Sequence, residues 1–347
     1  MYVPQTTREY RLPKASGFHN LTITEAPIPK LKATEVLVKV HAVSLNFRDL
    51  VIAKNSYPSG HKENVVPCSD LAGEIVALGP GVARWAVGDR VSSTFSTDRI
   101  YGDSSPESRA TSLGGAIDGV LTEYKALPAH ALVLIPEHLS YEEASTLPCA
   151  AVTAYNALNG PKPLKGGDTV LVQGTGGVSI FGLQLAVASG ATVVVTSSSD
   201  EKLKIVRSLG ATHTINYKTT PNWDEQVMKM TNGRGVDHIL EVGGPGTIMK
   251  SVNAIRFGGT ISLIGIVAGL QAEVSALPLQ VLSKGVILRG VLIGSRVQFE
   301  DMNRLITAVK LKPIVAKVFA FENAHEAYEY LDGQKHVGKV IIRVSKD

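Results

Sequence analysis

Three glycines in the middle of the chain stand where a phosphate group could bind. They are Gly174, Gly176 and Gly177. The apolar and β-branched run 169–172 before them predicts a buried strand, and from Val178 onward apolar residues recur at helical spacing. A strand, a glycine turn and a helix N-terminus together direct unpaired N–H groups and the positive end of a helix dipole at a pyrophosphate. Ser179 replaces the last glycine of the usual G-x-G-x-x-G pattern, so an ordinary tight turn is an alternative.

The end of the next predicted strand indicates which dinucleotide would bind. An NAD site normally has Asp or Glu there, about 20 residues beyond the glycines, but this chain has Ser197 and Ser198. Asp200 and Glu201 fit better in the first turn of the following helix, with Ser198 and Glu201 spaced as a capping box. Small hydroxyl groups leave room for a 2′-phosphate, and Lys202 could pair with it. The sequence therefore favours NADPH.

The elements that would position these residues fall into two domains. A chain of 347 residues exceeds the roughly 250–300 at which one core usually divides. Residues 1–137 are β-rich, whereas 138–297 alternate strands and helices, which predicts a doubly wound parallel sheet of six strands. In 298–347 we expect a helix from Phe319 onward and a strand over 339–344, which would complete the first domain.

Composition argues against several classes of protein. The net charge of +4 is spread without a basic block, so nucleic-acid binding is not expected. With only two cysteines, Cys68 and Cys149, we expect no disulfide framework, which suits a reducing compartment. With no long apolar stretch and a polar start to the chain, we expect no membrane span and a cytoplasmic protein. The irregular segment 96–119 is expected to be a long functional loop.

Several motifs in combination resemble a known superfamily. They are EVLVKVHAVSLNFRDL at 35–50, the glycine-rich pattern from Gly73 to Val91, TLPCAAVTAYNAL at 146–158, and the glycine turn. Together they are similar to the medium-chain dehydrogenase/reductase superfamily, in particular its quinone-oxidoreductase and alcohol-dehydrogenase-like branches. The resemblance implies an α/β protein with a GroES-like β-barrel domain for the substrate, a Rossmann domain for the cofactor, and a cleft between them.

The resemblance also bears on metal binding. Zinc-dependent members bind a catalytic ion through Cys, His and Cys, and the matching positions here are Asn46, Ser69 and Cys149. Asn and Ser are poor zinc ligands, and 96–119 lacks the four cysteines of the structural zinc lobe. We therefore expect no metal, and interpret Cys149 as a small buried apolar residue.

Further cofactor residues follow from the same resemblance. In NADP-dependent members a Ser, a Lys and a Tyr surround the 2′-phosphate, and Lys202 and Tyr217 match the latter two. Thr153 matches a threonine beside the nicotinamide, and Lys339 lies near a position that contacts the pyrophosphate. The alternatives are that Lys202 is a solvated helix lysine and Tyr217 an aromatic residue at a strand end. Thr153 would then be an ordinary helix residue and Lys339 a surface cation. Two glycines are expected at the ligand-binding carboxyl edge of the sheet, Gly243 and Gly265.

On the substrate side, Asn46 and Tyr57 are the candidate catalytic residues. Their alternatives are a turn-forming Asn and a packed loop Tyr. Without a metal, hydride transfer relies on positioning and on donors aimed at the oxygen where charge develops. Two neutral donors suit the enolate formed from an enone or a quinone, which predicts NADPH-dependent reduction of an activated C=C bond or a quinone. Zinc-free alcohol dehydrogenase or carbonyl reductase activity is an alternative, and a structural or nucleic-acid-binding role without turnover is another. The apolar strand 286–293 at the end of the sheet predicts a homodimer.

Overall fold

The computed structural model describes residues 4–267, 269 and 273–345. The chain forms two compact units. The first unit comprises residues up to Val152 together with those from Gly294 onward, and the second comprises Thr153–Ile293. The chain thus passes between units at 152–153 and 293–294, whereas the sequence-based boundaries lie at 137–138 and 297–298.

Strands alternate with turns in the first unit and with helices in the second. In chain order they are β1 (Thr6–Arg11), β2 (Thr22–Pro27), β3 (Glu35–Ser44), β4 (Asp70–Leu78), β5 (Arg90–Ser93), β6 (Tyr124–Pro128), β7 (Leu132–Leu134), β8 (Thr169–Gln173), β9 (Thr192–Ser197), β10 (His213–Asn216), β11 (Val236–Glu241), β12 (Ile255–Leu263), β13 (Ile287–Gly290), β14 (Val315–Ala320) and β15 (Lys339–Arg343).

The helices follow the same division. They are α1 (Phe47–Ala53), α2 (Pro106–Arg109), α3 (Tyr141–Ser145), α4 (Val152–Leu158), α5 (Gly177–Ala188), α6 (Asp200–Ser208), α7 (Trp223–Met230), α8 (Pro245–Ala254), α9 (Leu277–Lys284), α10 (Arg296–Ala308) and α11 (Ala324–Asp332), with a π-helical turn at Leu147–Ala151 between α3 and α4. Within the described ranges, no helix is long and apolar enough to cross a membrane.

The first unit is built on β3, whose residues are almost all buried. β3 pairs antiparallel with β4, β6 and β15, and the sheet follows the order β14-β15-β3-β4-β5-β7. β14 and β15, from the end of the chain, therefore complete a sheet that begins near its start. Pairing with β15 places Lys339 beside the end of β3, where the Asn46 segment begins.

The second unit confirms the predicted doubly wound sheet. Its six strands are parallel in the order β10-β9-β8-β11-β12-β13. Buried aliphatic residues such as Leu171, Val194 and Ile239 form the core between the sheet and its helices. The first strand of this unit along the chain, β8, lies between β9 and β11, so the carboxyl ends of all three meet at one edge.

Two local predictions were wrong, and one helix was not predicted. Phe319 belongs to β14, which pairs in parallel with β15, and the following helix begins at Ala324. α10 was not predicted, although Ser295 and Gln298 form a capping box at its start. The N-cap of α6 is Ser199, whose hydroxyl accepts from the Lys202 N–H, and not Ser198.

Candidate functional site

The glycine turn of the second unit has the form that a phosphate site requires. Gly174 adopts φ 73°, which favours glycine, and Gly176 is the N-cap of α5. A Cβ atom added to Gly176 would meet no described atom within 4 Å, so there is open space in front of the helix N-terminus. The first N–H groups of α5, including those of Gly177 and Val178, have no partner within the helix. These residues fit a dinucleotide pyrophosphate.

The missing third glycine has two replacements. Ser179 is buried, and its hydroxyl donates to the carbonyl of Gln173 at 2.7 Å. Gly182 provides the close packing of helix on strand, since a Cβ there would lie 2.4 Å from Leu240 Cδ2. The departure from G-x-G-x-x-G therefore leaves the turn intact.

The ends of β9 and β10 bring together two of the residues predicted for the 2′-phosphate. Ser197 is buried, and its carbonyl accepts from the Tyr217 N–H at 3.0 Å. Lys202, one turn into α6, is half-buried, and burial lowers the pKa of its ammonium group. Ser198 is also half-buried.

Two carboxylates near the end of β9 form hydrogen bonds with neighbouring side chains. Asp200 accepts from the Asn216 amide at 3.0 Å. Glu201 accepts from the Ser199 hydroxyl at 2.7 Å, which lowers the pKa of Glu201. A Ser, a Lys and a Tyr thus occupy the end of β9 and its surroundings, where an NAD site has a carboxylate.

Other predicted cofactor residues lie at positions with specific constraints. Thr153 is buried, and its Oγ1 has no hydrogen-bond partner among the described residues. A Cβ on Gly243 would lie 2.2 Å from Thr247 Oγ1, and one on Gly265 would lie 2.7 Å from the carbonyl oxygen of Val242. These glycines are therefore required by the packing of the turns after β11 and β12.

Asn46 lies between β3 and α1 in the first unit and is 8% exposed. Its backbone N–H donates to Asp49 Oδ2 at 2.8 Å. The Lys339 ammonium donates to Asn46 Oδ1 at 2.5 Å and to the carbonyl of Leu45 at 2.6 Å. Because Lys339 is 4% exposed, its interpretation as a surface cation was wrong, and the pyrophosphate contact stays a prediction.

A buried carboxylate completes this cluster. Asp70 is 0% exposed, and it accepts from the Ser69 hydroxyl at 2.6 Å and from the Cys149 backbone N–H at 3.1 Å. Burial raises the pKa of Asp70, and Lys339 most strongly opposes that rise, followed by Ser69 and Asn46. Burial also raises the pKa of Asp49 to about 6, against the opposing effect of Arg48. The sequence reasoning missed both acids; their place directly beside Asn46 and Ser69 was the available signal.

The three positions that bind zinc in relatives do not fit a metal here. Asn46 Oδ1 accepts from an ammonium group, and Ser69 donates to Asp70. Burial, together with the charge of Asp70, raises the pKa of the Cys149 thiol, which disfavours the thiolate that binds zinc. No group of three or more His, Cys, Asp or Glu that could hold a metal occurs in the described part of the chain.

Tyr57 follows α1 and contacts Arg48, a residue to which the sequence analysis gave no role. The Arg48 guanidinium lies 5.2 Å from the Tyr57 ring centroid and 4.5 Å from that of Phe95. Arg48 Nη1 donates to the carbonyl of Leu113 at 2.7 Å. Arg48 therefore joins the Asn46 segment, Tyr57 and the loop 96–119 within the first unit.

Comparisons with known proteins agree with this architecture. Residues 32–137 match the alcohol dehydrogenase GroES-like domain, and residues 177–308 match the zinc-binding dehydrogenase family. A zinc-type alcohol dehydrogenase-like protein of Schizosaccharomyces pombe is 48% identical over 95% of this chain and 96% of its own length. The acryloyl-coenzyme A reductase of Metallosphaera sedula is 31% identical over 92% and 95%, and human quinone oxidoreductase is 28% identical over 91% and 90%.

Solved structures are similar over nearly the whole chain. A Sinorhizobium meliloti 1021 protein described as an alcohol dehydrogenase has a TM-score of 0.91 and 38% identity, over 99% of this chain and 100% of its own. A 2-octenoyl-CoA carboxylase reductase in complex with NADP and 2-octenoyl-CoA has a TM-score of 0.85 and 27% identity, over 99% and 88%.

A GroES-like domain combined with a parallel dinucleotide-binding sheet defines an oxidoreductase of the NAD(P)-binding class. The chain belongs to the medium-chain dehydrogenase/reductase superfamily.

Proposed function

We propose that this protein uses NADPH to reduce an activated C=C bond or a quinone without catalytic zinc. Asn46 and Tyr57 donate hydrogen bonds to the substrate oxygen, and the second unit binds the cofactor. The observation that carries the proposal is the hydrogen bond from the Lys339 ammonium to Asn46 Oδ1 at 2.5 Å.

This hydrogen bond determines how the Asn46 amide can act. An ammonium group only donates, so the amide oxygen must face Lys339 and the NH₂ group must point elsewhere. Nδ2 is buried and has no hydrogen-bond partner within the usual distance and angle among the described residues. The Asn46 amide nevertheless lowers the pKa of Asp70 and so favours its charged form. Lys339 thus holds Asn46 as a donor, which is the role that an oxyanion site requires.

The cofactor supplies a hydride when it is bound. In the second unit, Gly174, Gly176 and the N–H groups at the start of α5 bind the pyrophosphate, and Thr153 offers its unpartnered hydroxyl. Ser197, Ser198, Lys202 and Tyr217 surround the 2′-phosphate. The structural relative bound to NADP is consistent with this choice, and the absence of a carboxylate at the end of β9 supports it.

The chemistry of the donors favours an enone or a quinone over an alcohol. Hydride addition to carbon leaves an enolate or a phenolate oxygen, which neutral N–H and O–H donors can stabilise while solvent supplies the proton. Alcohol oxidation needs an alkoxide and a base. The Cys149 thiol has a raised pKa and is protonated at neutral pH, so it is unsuited to serve as that base. Relatives named as an acryloyl-coenzyme A reductase and a quinone oxidoreductase are consistent with this preference.

A substrate panel tests the reaction. The purified protein should oxidise NADPH with 1,4-naphthoquinone, 2-cyclohexenone or trans-2-hexenal, and should act slowly on cyclohexanone and, with NADP, on 2-butanol. Turnover confined to ketones and secondary alcohols would instead identify a carbonyl reductase or alcohol dehydrogenase. Cofactor binding with no turnover on any compound would point to a non-enzymatic role.

Two variants test the donors. Asn46→Asp keeps an oxygen for Lys339 but has no N–H group, and Tyr57→Phe removes the other donor. Each should lower kcat by about 10²–10³ and leave the Kd for NADPH unchanged. Wild-type kcat in both variants would exclude these two residues as the donors.

We also propose a homodimer formed through the end of the second unit's sheet. β13 is one of the two edge strands. Leu292 follows it and is 57% exposed, and Leu279 and Leu282 of α9 are 68% and 76% exposed. An edge strand beside exposed leucines invites pairing with a second copy. Light scattering at micromolar concentration should give twice the chain mass of 36.9 kDa, and a monomer would contradict the proposal.

A further inference from the structure

We propose that Glu241 is a positioning residue for the cofactor. It acts through Gln173, which it holds in place beside the glycine turn. Glu241 ends β11 and Gln173 ends β8, two neighbouring strands of the second unit. The inference rests on the cofactor site proposed above, but it requires no particular substrate.

One carboxylate oxygen of Glu241 holds the turn that follows β11. Oε1 accepts from the backbone N–H groups of Gly243 at 2.8 Å and Gly244 at 3.0 Å, and from the Thr247 hydroxyl at 2.5 Å. Gly244 adopts φ 82° and is the N-cap of α8. The carboxylate thus fixes both the turn and the start of the next helix.

The other oxygen links this turn to the strand that precedes the glycine turn. Oε2 accepts from the Gln173 amide at 2.7 Å and also from the Ser251 hydroxyl. Gln173 Oε1 in turn accepts from the N–H groups of Val242 and Gly243, each at 3.2 Å. The ends of β8 and β11 are therefore held together by side-chain hydrogen bonds.

Gln173 connects this hydrogen-bond network to the glycine turn. It immediately precedes Gly174, and its carbonyl accepts from Ser179 in the first turn of α5 at 2.7 Å. A shift of Gln173 would move both sides of the glycine turn. Because cofactors bind outside the carboxyl ends of such strands, the network lies at the edge where the cofactor is expected.

The donor set explains why a carboxylate is required. Glu241 is 0% exposed, and the hydrogen bonds described above come from neutral N–H and O–H groups. Both oxygens of the side chain accept, and a carboxylate is the side chain of this size that offers two acceptor oxygens and no donor. A glutamine has a single carbonyl oxygen and would direct an NH₂ group at donors, so Glu241→Gln would disrupt the network while preserving the size of the side chain.

The same strand supplies a matched control. Asp237 lies at the amino end of β11 and is 1% exposed. It accepts from the Arg234 guanidinium at 2.7 Å, from the Arg256 guanidinium at 2.5 Å and from the Thr169 N–H at 2.8 Å. Asp237→Asn changes a carboxylate that is also buried, but at the amino ends of the strands, away from the expected cofactor.

The test measures cofactor binding without substrate. Glu241→Gln should raise the Kd for NADPH and for NADH alike by about tenfold or more, the factor that corresponds to 1.4 kcal/mol, because the network does not distinguish the 2′-phosphate. Thr247→Val, which removes a single donor, should raise both by a smaller factor. Asp237→Asn should lower the melting temperature at least as much as Glu241→Gln does, yet leave both Kd values within about twofold of the wild type.

Three outcomes would overturn the inference. They are wild-type Kd values in both Glu241→Gln and Thr247→Val, an equal rise in Kd for Asp237→Asn, and a rise for NADPH alone. If the wild type prefers NADH or reduces another substrate class, the proposed function fails. The ratio of variant to wild-type Kd still tests Glu241 in that case.

Discussion

Replacing Lys339 by Met should destabilise the first unit strongly. The ammonium is 4% exposed, and among the groups acting on the 0% exposed Asp70 it has the largest effect in favour of the charged carboxylate. Methionine fills a similar volume but leaves Asp70 without this counter-charge. Removing one member of a buried ion pair typically costs about 3–5 kcal/mol, because the remaining charge is uncompensated. We expect a loss of free energy of unfolding in that range near pH 7.5.

The loss should depend on pH. Burial already raises the pKa of Asp70, and loss of Lys339 raises it further above the unfolded value near 3.9. A carboxyl group with a raised folded-state pKa is protonated in the folded protein at pH values where the unfolded chain has released the proton. The folded variant therefore loses stability as the pH rises from about 4 towards neutrality.

Guanidinium chloride unfolding followed by circular dichroism at pH 5 and pH 7.5 measures this effect. Lys339→Met combined with Asp70→Asn removes both charges and should recover most of the lost stability. The reasoning is refuted if the single variant loses less than about 1 kcal/mol, if its deficit is the same at both pH values, or if the double variant is as unstable as the sum of the single ones.

Three further predictions concern the cofactor, the metal and a second buried acid. Lys202→Ala should weaken NADPH binding about tenfold or more while NADH binding stays nearly unchanged; equal losses in a fluorescence titration would contradict the assignment. Purified protein should contain no stoichiometric zinc, and EDTA should leave its turnover intact, whereas one zinc per chain by elemental analysis would overturn this expectation. Burial raises the pKa of Asp49 to about 6, so the folded state holds a proton that the unfolded state releases, and wild-type stability falls as the pH rises from about 4 to 6. Asp49→Asn should remove that part of the decline, so that stability changes less between pH 4 and pH 6 than in the wild type; an unchanged slope of stability against pH would disprove the shift.

The second unit could be predicted from the sequence because its signals are local. The strand Thr169–Gln173 covers the predicted run 169–172, since a short apolar run that ends at turn residues is typical of a buried strand. The glycine turn was recognised for the same reason. The N-cap of α6 was misplaced by one residue, because three consecutive serines offer equivalent caps and backbone conformation decides among them.

The end of the chain was harder to predict because its structure depends on distant partners. The stretch Val315–Ala320 is a strand because it pairs with β15, which in turn pairs with β3. Its own residues do not distinguish that outcome from a helix.

The contacts of the charged residues were missed for a related reason. Lys339 looks like any surface lysine until the sheet brings it to Asn46, which lies 293 positions earlier in the chain. Glu241 and Gln173 are 68 positions apart, and neither stands in a recognised motif. Sequence spacing indicates local geometry, whereas such contacts are specified by the order of strands in the folded sheet.

The late position of Lys339 has a consequence for biosynthesis. The second unit, Thr153–Ile293, is continuous in sequence, but the first unit needs residues from both ends of the chain. At about 5–20 residues per second, the ribosome reaches Lys339 roughly 10–40 s after Val152. Throughout that interval the nascent β3 has no β15 to pair with, and Asp70 has no ammonium partner. The order of translation therefore leaves the first unit incomplete, and open to chaperones, while the second unit can already fold.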